Sequence, residues 1–135
     1  DQGDTDITDE EMSRIHIAPY YPAIAEGVLT VMVSFNSWKG DKCHGHRYLL
    51  TDVLKNELGF TGFIISDWDG IDYLDDNYFE TVAMSVNAGI DMFMVSEKWR
   101  DFIAHVRTHV ESGRIPMERI DDAVRRILYV KINYG

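Results

Sequence analysis

The chain has 135 residues, of which 45% are hydrophobic and 27% are charged, a composition typical of a globular chain with one core. Its formal net charge of −10 at pH 7 argues against a nucleic-acid or anionic-membrane partner, because both would repel so acidic a surface. The single cysteine, Cys43, excludes an internal disulfide, and no apolar stretch approaches the roughly 20 residues that cross a bilayer.

The first half of the chain predicts a helix, a strand and a second helix. Thr8 and Glu11 have the T-x-x-E spacing of a capping box, which predicts a helix running toward residues 23–27. The Val-rich run 28–35 does not alternate with polar residues and predicts a buried strand. After a polar loop, residues 48–59 predict a helix that ends at a glycine cap. Its apolar face consists of Leu50, Val53, Leu54 and Leu58.

The second half repeats this order of elements. Strands are predicted over 61–66 and 90–96, and helices over 77–89, 97–113 and 116–132. Regular alternation of strand and helix indicates right-handed βαβ units and a parallel sheet, so the predicted fold class is α/β. Ligands of such folds bind at the carboxyl ends of the strands, and functional residues are expected in the loops that follow them.

The segment GFIISDWDGID, residues 62–72, ends a predicted strand with Asp67, Trp68 and Asp69. An aspartate in this place is also typical of a turn or a helix cap. A tryptophan just past a strand end is less easily explained by packing, because its flat apolar face suits stacking on a sugar or a base. Asp67 and Asp69 also fit a D-x-D pattern, which leaves magnesium-dependent phosphotransfer as an alternative.

Cys43, His44 and His46 lie close together in the polar loop, and thiolate and imidazole are the preferred ligands of zinc. A structural zinc site needs four ligands, and no companion pair stands at a recognised spacing, so no metal site is predicted. The roles of His44 and His46 stay open. His105 and His109 lack the intervening acid of an H-E-x-x-H motif and are expected to be surface or packing residues.

Several of these segments together resemble glycoside hydrolase family 3, above all its exo-acting β-glucosidases and β-glucan glucohydrolases. They are TVMVSFNSWKG (30–40), HRYLLTDVLKNELGFTGFIISDW (46–68), AGIDMFMV (88–95) and RIDDAVRRIL (119–128). The resemblance covers nearly the whole chain. It implies a partial (β/α)8, TIM-barrel-like domain with about three parallel strands, in which residues 1–135 form the C-terminal portion of the catalytic barrel.

The resemblance also implies roles for individual residues. Asp67 corresponds to the catalytic nucleophile of a retaining β-glycosidase, Trp68 to a wall of the subsite beside the cleaved bond, and Met32 to the glucose pocket. Phe35 stands where some members carry a tyrosine whose hydroxyl reaches the nucleophile, so that contact is expected to be absent. Asp69 is expected to shape its loop together with the following glycine rather than to act as the acid.

The expected substrate is a β-linked glucoside or oligosaccharide, and no cofactor is implied. By this resemblance the general acid is a glutamate of a following domain, and a sugar-binding Lys-His pair belongs to a preceding strand. The isolated chain is therefore expected to be inactive. Open barrel edges would allow self-association. The chain contains no signal-peptide pattern, and a periplasmic or secreted location is compatible with the full-length enzyme.

A second class of function stays open, a non-catalytic carbohydrate-binding or assembly module in which Trp68 binds glycan and no bond is broken. Magnesium-dependent phosphotransfer by Asp67 and Asp69 ranks below it, because a D-x-D motif of that kind normally ends the first strand of its domain.

Overall fold

The strands form two small sheets in the computed structural model, which describes residues 2–134. In one sheet, β2 (Thr30–Met32) pairs in parallel with β5 (Phe63–Ile65). The other sheet has the order β1 (Asp4–Thr5), β3 (Ser37–Trp38), β4 (Asp41–Lys42), with β1 parallel to β3 and β3 antiparallel to β4. The predicted α/β class with parallel strands is confirmed.

The α-helices lie between and after these strands along the chain. They are α1 (Asp9–Glu11), α2 (Tyr20–Ala25), α3 (Tyr78–Ala88), α4 (Trp99–Glu111) and α5 (Met117–Tyr134). Met12–Ile17 and Tyr48–Glu57 are π-helices, and Cys43–Gly45 and Gly70–Tyr73 are short 3₁₀ helices. Within residues 2–134, no helix has both the length and the apolar content that crossing a membrane would require.

The predicted capping box begins the first helical region. The Glu11 backbone N–H donates to Thr8 Oγ1 at 3.2 Å, and the Thr8 N–H donates to Glu11 Oε2 at 2.9 Å. The predicted helix is nevertheless interrupted, because α1 continues as a π-helix and gives way to a turn before α2. Pro19 lies in this turn; a proline has no N–H for the helical ladder and its ring crowds the preceding residues.

The prediction of a fully buried strand over 28–35 was wrong in part. Only Thr30–Met32 form the strand, and Thr30 and Met32 are exposed while Val31 is half-buried. Among the described residues β2 has a neighbour on one side only, β5, so one face and one edge remain uncovered. Val33, just beyond the strand, is the member of this run that reaches the core.

The predicted strand 90–96 is an extended segment joined to β5 by one parallel bridge, between Ile65 and Met92. Ser66 N–H donates to the Met92 carbonyl at 2.9 Å, which continues the pairing for one step. The Met94 N–H then bonds to the Ser66 hydroxyl at 2.8 Å instead of to a main-chain carbonyl, so the ladder ends there. The third parallel neighbour is therefore present but short.

The helices predicted over 48–59 and 77–89 cover the sheet with the faces that the apolar spacing indicates. Leu50, Val53 and Leu54 are buried, and the Leu58 N–H bonds to the Val53 carbonyl five residues back, as in a π-helix. Gly59 has φ 68°, the left-handed conformation that favours glycine at a helix end. The core that results contains Val33, Leu50, Leu54, Phe60, Ile64, Ile71, Val82, Ala88 and Ile90.

A buried ion pair lies between the π-helix and the segment after α3. Lys55 Nζ is 2.7 Å from Asp91 Oδ1, and the side chains are 3% and 0% exposed. The other Asp91 oxygen accepts the Ile64 N–H at 2.8 Å, and Arg119 of α5 also donates to Asp91. This network links the π-helix Tyr48–Glu57 to β5 and α5. The sequence did not indicate it.

Candidate active site

Asp67 lies two residues after the end of β5, at the carboxyl edge of the parallel sheet. The preceding Ser66 is buried, Asp67 is half-buried, and Trp68 is exposed. The Asp67 carboxylate accepts the Trp68 backbone N–H at 2.6 Å through Oδ1. The Asp67 carbonyl accepts the Gly70 N–H at 3.1 Å. The strand end thus presents a carboxylate whose backbone is held in a tight turn.

Asp69 stabilises the same loop through hydrogen bonds, so it does not present a second free carboxylate. Its φ of 50° is in the left-handed region, which aspartate tolerates better than most residues. Its N–H donates to the Met94 carbonyl at 2.9 Å, and its two oxygens accept the N–H and the hydroxyl of Ser96. The prediction that Asp69 shapes the loop is confirmed, and this engagement also weakens the D-x-D phosphotransfer alternative.

His44 is brought under the loop by the 3₁₀ helix that follows β4. It is 1% exposed, and its Nε2 lies 3.0 Å from the backbone nitrogen of Asp67. Burial lowers the pKa of His44 to about 4, although the nearby Asp67 carboxylate acts in the opposite direction. The ring is therefore neutral at pH 7 and accepts a hydrogen bond from the Asp67 N–H. The sequence left the role of His44 open, and the structure shows that its ring contacts the main chain of Asp67, the candidate nucleophile.

The structure places the other predicted site residues around the same edge. Met32 pairs with Ile65, two residues before Asp67, and its side chain is 52% exposed. Trp68 is 63% exposed, so its ring is free to meet a ligand. Phe35 packs with a centroid distance of 5.8 Å against His44, whose Nε2 in turn meets the Asp67 backbone nitrogen.

The candidate zinc ligands face different partners. Cys43 Sγ lies 3.5 Å from Asn36 Oδ1, and burial raises the pKa of its thiol, which disfavours the thiolate that binds zinc. His46 stacks on Trp38 with a centroid distance of 5.3 Å. Across the described part of the chain, residues 2–134, there is no group of three side chains able to hold a metal ion.

His105 and His109 are packing residues, in agreement with the sequence-based expectation. The His105 ring contacts Phe79 edge-on at a centroid distance of 5.1 Å. His109 is 0% exposed, and its Nε2 lies 2.8 Å from the Phe79 carbonyl oxygen. Both contacts join α4 to α3, and neither involves Asp67.

Comparison with known proteins identifies this arrangement. Residues 1–130 match the family model described as glycosyl hydrolase family 3 N terminal domain. The chain belongs to glycoside hydrolase family 3. The match covers all the described strands and the loop that carries Asp67, so the family resemblance predicted from the sequence motifs is confirmed.

Three family 3 relatives show the extent of the similarity. An exo-1,3/1,4-β-glucanase structure from a Pseudoalteromonas species is 46% identical with a TM-score of 0.94, covering 100% of this chain and 17% of that one. A β-glucosidase structure from Listeria innocua in complex with glucose is 26% identical with a TM-score of 0.85, covering 96% and 18%. A β-glucosidase of Wickerhamomyces anomalus is 36% identical over 135 residues, covering 97% of this chain and 15% of the relative.

The chain thus spans 15–18% of the length of these relatives. Its fold corresponds to a portion of their TIM-barrel-like family 3 domain. The activities named for the relatives are properties of proteins several times longer than this chain.

The sequence did not reveal two contacts that shape this family 3 site. One is the link from His44 to Asp67, and the other is the double contact of Ser96 with Asp69. Both join residues more than twenty positions apart, and neither histidine nor serine stood in a spacing that indicates a partner. The one local signal was Gly70, directly after the two acids, where a close approach of another group is possible.

Proposed function

We propose that this chain forms part of a retaining, exo-acting β-glycosidase of the β-glucosidase or β-glucan glucohydrolase type, with Asp67 as its nucleophile. The observation that carries the proposal is the place of Asp67, a partly exposed carboxylate at the carboxyl end of a core strand with its backbone held on both sides. A nucleophile needs this fixed placement, because small displacements from the line of attack reduce the rate steeply.

In the proposed reaction, an Asp67 oxygen bonds to the anomeric carbon while the glycosidic C–O bond breaks and the leaving oxygen takes a proton from a carboxylic acid. Water then cleaves the glycosyl–aspartate ester, and the second carboxyl group accepts the water's proton. Asp67 Oδ1 accepts the Trp68 N–H, which leaves Oδ2 as the oxygen better suited to attack.

The proposed substrate is a β-linked glucoside or oligosaccharide. Trp68 offers an exposed aromatic face beside the nucleophile, suited to the apolar C–H face of a sugar ring. Met32 of the neighbouring strand β2 and Phe35 of the segment after it are proposed to line the sugar pocket. Phe35 has no hydroxyl, so it contributes shape to this pocket but no hydrogen bond to Asp67.

The acid/base is proposed to come from outside these residues. In a retaining enzyme the two carboxyl groups stand about 5–5.5 Å apart. The nearest acid in the chain, Asp69, has both oxygens engaged by Ser96, which does not suit a group that must give up and regain a proton. A remainder of the barrel and a following domain are the proposed partners that complete the site.

The test is covalent trapping in the complete natural polypeptide. A 2-deoxy-2-fluoro aryl β-glucoside should add one sugar mass, and peptide mapping should place it on Asp67. Replacement Asp67→Asn should abolish trapping and lower kcat by roughly 10³-fold or more. Asp76→Asn is the matched control, because Asp76 is an exposed acid of the same loop and should leave both properties unchanged.

Three results would contradict the proposal. A sugar trapped on another residue would move the nucleophile elsewhere. Glycan binding that survives Asp67→Ala, in a protein with no turnover, would favour a non-catalytic binding module. Hydrolysis of phosphate esters that requires magnesium and both Asp67 and Asp69 would favour phosphotransfer.

A further inference from the structure

His44 has a contact that neither the family resemblance nor the proposed reaction explains. Its ring is 1% exposed and accepts the Asp67 backbone N–H at 3.0 Å, although twenty-three positions separate the two residues. A main-chain carbonyl or water would be the ordinary partner there.

The surroundings of His44 fix which of its nitrogens carries the proton. Nε2 must be unprotonated, because it receives the Asp67 N–H. The Ser34 backbone acts on the pKa of the ring in the raising direction, less strongly than burial lowers it. The charged groups that bear on it are Asp67, which favours the protonated ring, and Lys42, which disfavours it. A neutral ring with a free Nε2 lone pair is therefore the form that this position requires.

Gly70 makes room for the contact on the other side. A Cβ atom at position 70 would lie 2.3 Å from His44 Nε2, far inside any allowed separation. Phe35 also packs against the imidazole, with its ring tilted at 46° and a centroid distance of 5.8 Å. Glycine at 70 and an aromatic ring at 35 together hold the imidazole at the distance where it meets the Asp67 N–H.

The hairpin that carries His44 is itself anchored. Trp38 of β3 is buried, and its Nε1–H donates to the Ile7 carbonyl at 3.1 Å. The N–H of Cys43, the first residue of the 3₁₀ helix, donates to the Asn36 carbonyl at 3.1 Å. These contacts anchor the segment that carries His44, so its side chain is not carried on a free loop.

We propose that His44 is a positioning residue for the nucleophile, holding the main chain of Asp67, and thereby its carboxylate, in the direction of attack. This inference rests on the proposed function of Asp67. Two hydrogen bonds, from the Asp67 N–H to His44 Nε2 and from the Gly70 N–H to the Asp67 carbonyl, then define the turn from which the carboxylate projects.

A merely structural role would make His44 important for stability alone, and the chain offers a matched control for that case. His109 is equally buried, at 0% exposure, and its Nε2 also meets the main chain, at the Phe79 carbonyl. It lies between α3 and α4, where its ring contacts Phe79 rather than Asp67. Loss of His109 should therefore affect folding but not the chemical step.

The experiment measures kcat, KM, the trapping rate on Asp67 and the unfolding midpoint in the complete natural polypeptide. His44→Met keeps the side-chain volume and removes the acceptor, and it should lower kcat and the trapping rate by roughly 10- to 100-fold with little change in KM. His44→Gln, whose amide oxygen reaches the place of Nε2, should recover most of the loss. His109→Met should lower the unfolding midpoint and leave kcat unchanged.

A wild-type protein trapped on Asp67 whose His44→Met variant keeps full kcat would overturn this inference and leave the proposed function standing. A wild-type protein with no sugar on Asp67 would reject the proposed function and this inference with it. If His44→Met does not fold, Gly70→Ala replaces it, since the added methyl displaces the imidazole while His44 stays in place. A folded Gly70→Ala protein with unchanged kcat would likewise overturn the inference.

Discussion

At the scale of single residues, the candidate site depends on which hydrogen-bonding atoms are already occupied. Asp67 and Asp69 have the same side chain two positions apart, yet Asp69 is engaged through both oxygens by Ser96 while Asp67 bonds its neighbour's N–H through one. The same reasoning separates two histidines of one short loop. His46 stacks on Trp38, whereas His44 reaches Asp67.

The buried His44 predicts that stability depends on pH. The pKa of His44 is lowered to about 4 in the folded chain from an ordinary value of 6.5, so the unfolded chain takes up the proton first as the pH falls. The stabilisation is complete above pH 6.5 and is lost as the pH falls toward 4, by at most about 3 kcal/mol. Urea unfolding at pH 7 and at pH 4.5 should show this loss.

His44→Met is the control for this prediction, because it has no group to titrate in that range at position 44. The variant is expected to be less stable at pH 7 but to lose less between pH 7 and pH 4.5 than the parent protein. An equal loss in both proteins would show that other groups account for the pH dependence.

At the scale of elements, charged side chains as well as apolar packing stabilise the end of the parallel sheet opposite Asp67. Arg126 of α5 donates to the carbonyls of Phe60 and Gly62 at 2.7 and 3.0 Å, just before β5 begins. Asp91 binds Lys55, Arg119 and the Ile64 N–H. These contacts join the π-helix, β5 and α5 at the end of the sheet opposite Asp67.

Removing one partner of this network should destabilise the fold strongly. Asp91→Ala removes the nearer partner of buried Lys55, leaving only Asp122 at 3.5 Å, and leaves the Ile64 N–H without an acceptor; the expected loss is about 3–5 kcal/mol in the free energy of unfolding. Lys55→Met should be milder, because Arg119 still balances Asp91 and the long apolar side chain fills the space. Denaturant unfolding of both variants measures the difference.

An exposed ion pair provides the control for that comparison. Lys39 and Asp9 are paired on the surface, and Lys39→Met should change stability by less than about 1 kcal/mol. If Asp91→Ala were no more damaging than Lys39→Met, the network would not be what holds these three elements together.

At the scale of the whole molecule, two opposing features decide how copies of the chain behave toward one another. The net charge of −10 repels other copies, while β2 has an unpaired edge among the described residues and exposed Met32 beside it. On α5, Ile132 is 78% exposed, which leaves a second apolar surface. Screening of the charge should therefore favour association.

The 135-residue chain is expected to self-associate through the β2 edge, more strongly as salt is raised from low ionic strength, because screening weakens the repulsion. Sedimentation velocity over a range of concentrations and salt measures this. Met32→Lys should reduce the association, whereas Ile132→Lys, with the same change of charge, should not. A chain that stays monomeric at high salt would contradict the prediction, and a stronger effect of Ile132→Lys would place the contact on α5.

Local patterns determined much of this protein from its sequence alone. The capping box at Thr8, the glycine end at Gly59 and the helical face of Leu50 and Leu54 depend on residues within a few positions of one another. The alternation of strand and helix indicated the α/β class, and the family motifs indicated Asp67 and Trp68 as site residues.

Only the tertiary structure decided the contacts between distant residues. Thirty-six positions separate Lys55 from Asp91, and twenty-three separate His44 from Asp67, and no local rule relates residues so far apart. The tertiary structure also decided how short the third strand is. The Ser66 hydroxyl accepts the Met94 N–H, and so ends the ladder, only because the fold places the two segments side by side. Periodicity shows which face of an element is apolar. The partners of a buried charge or a hydrogen-bonded imidazole depend instead on which distant residues the fold places beside it.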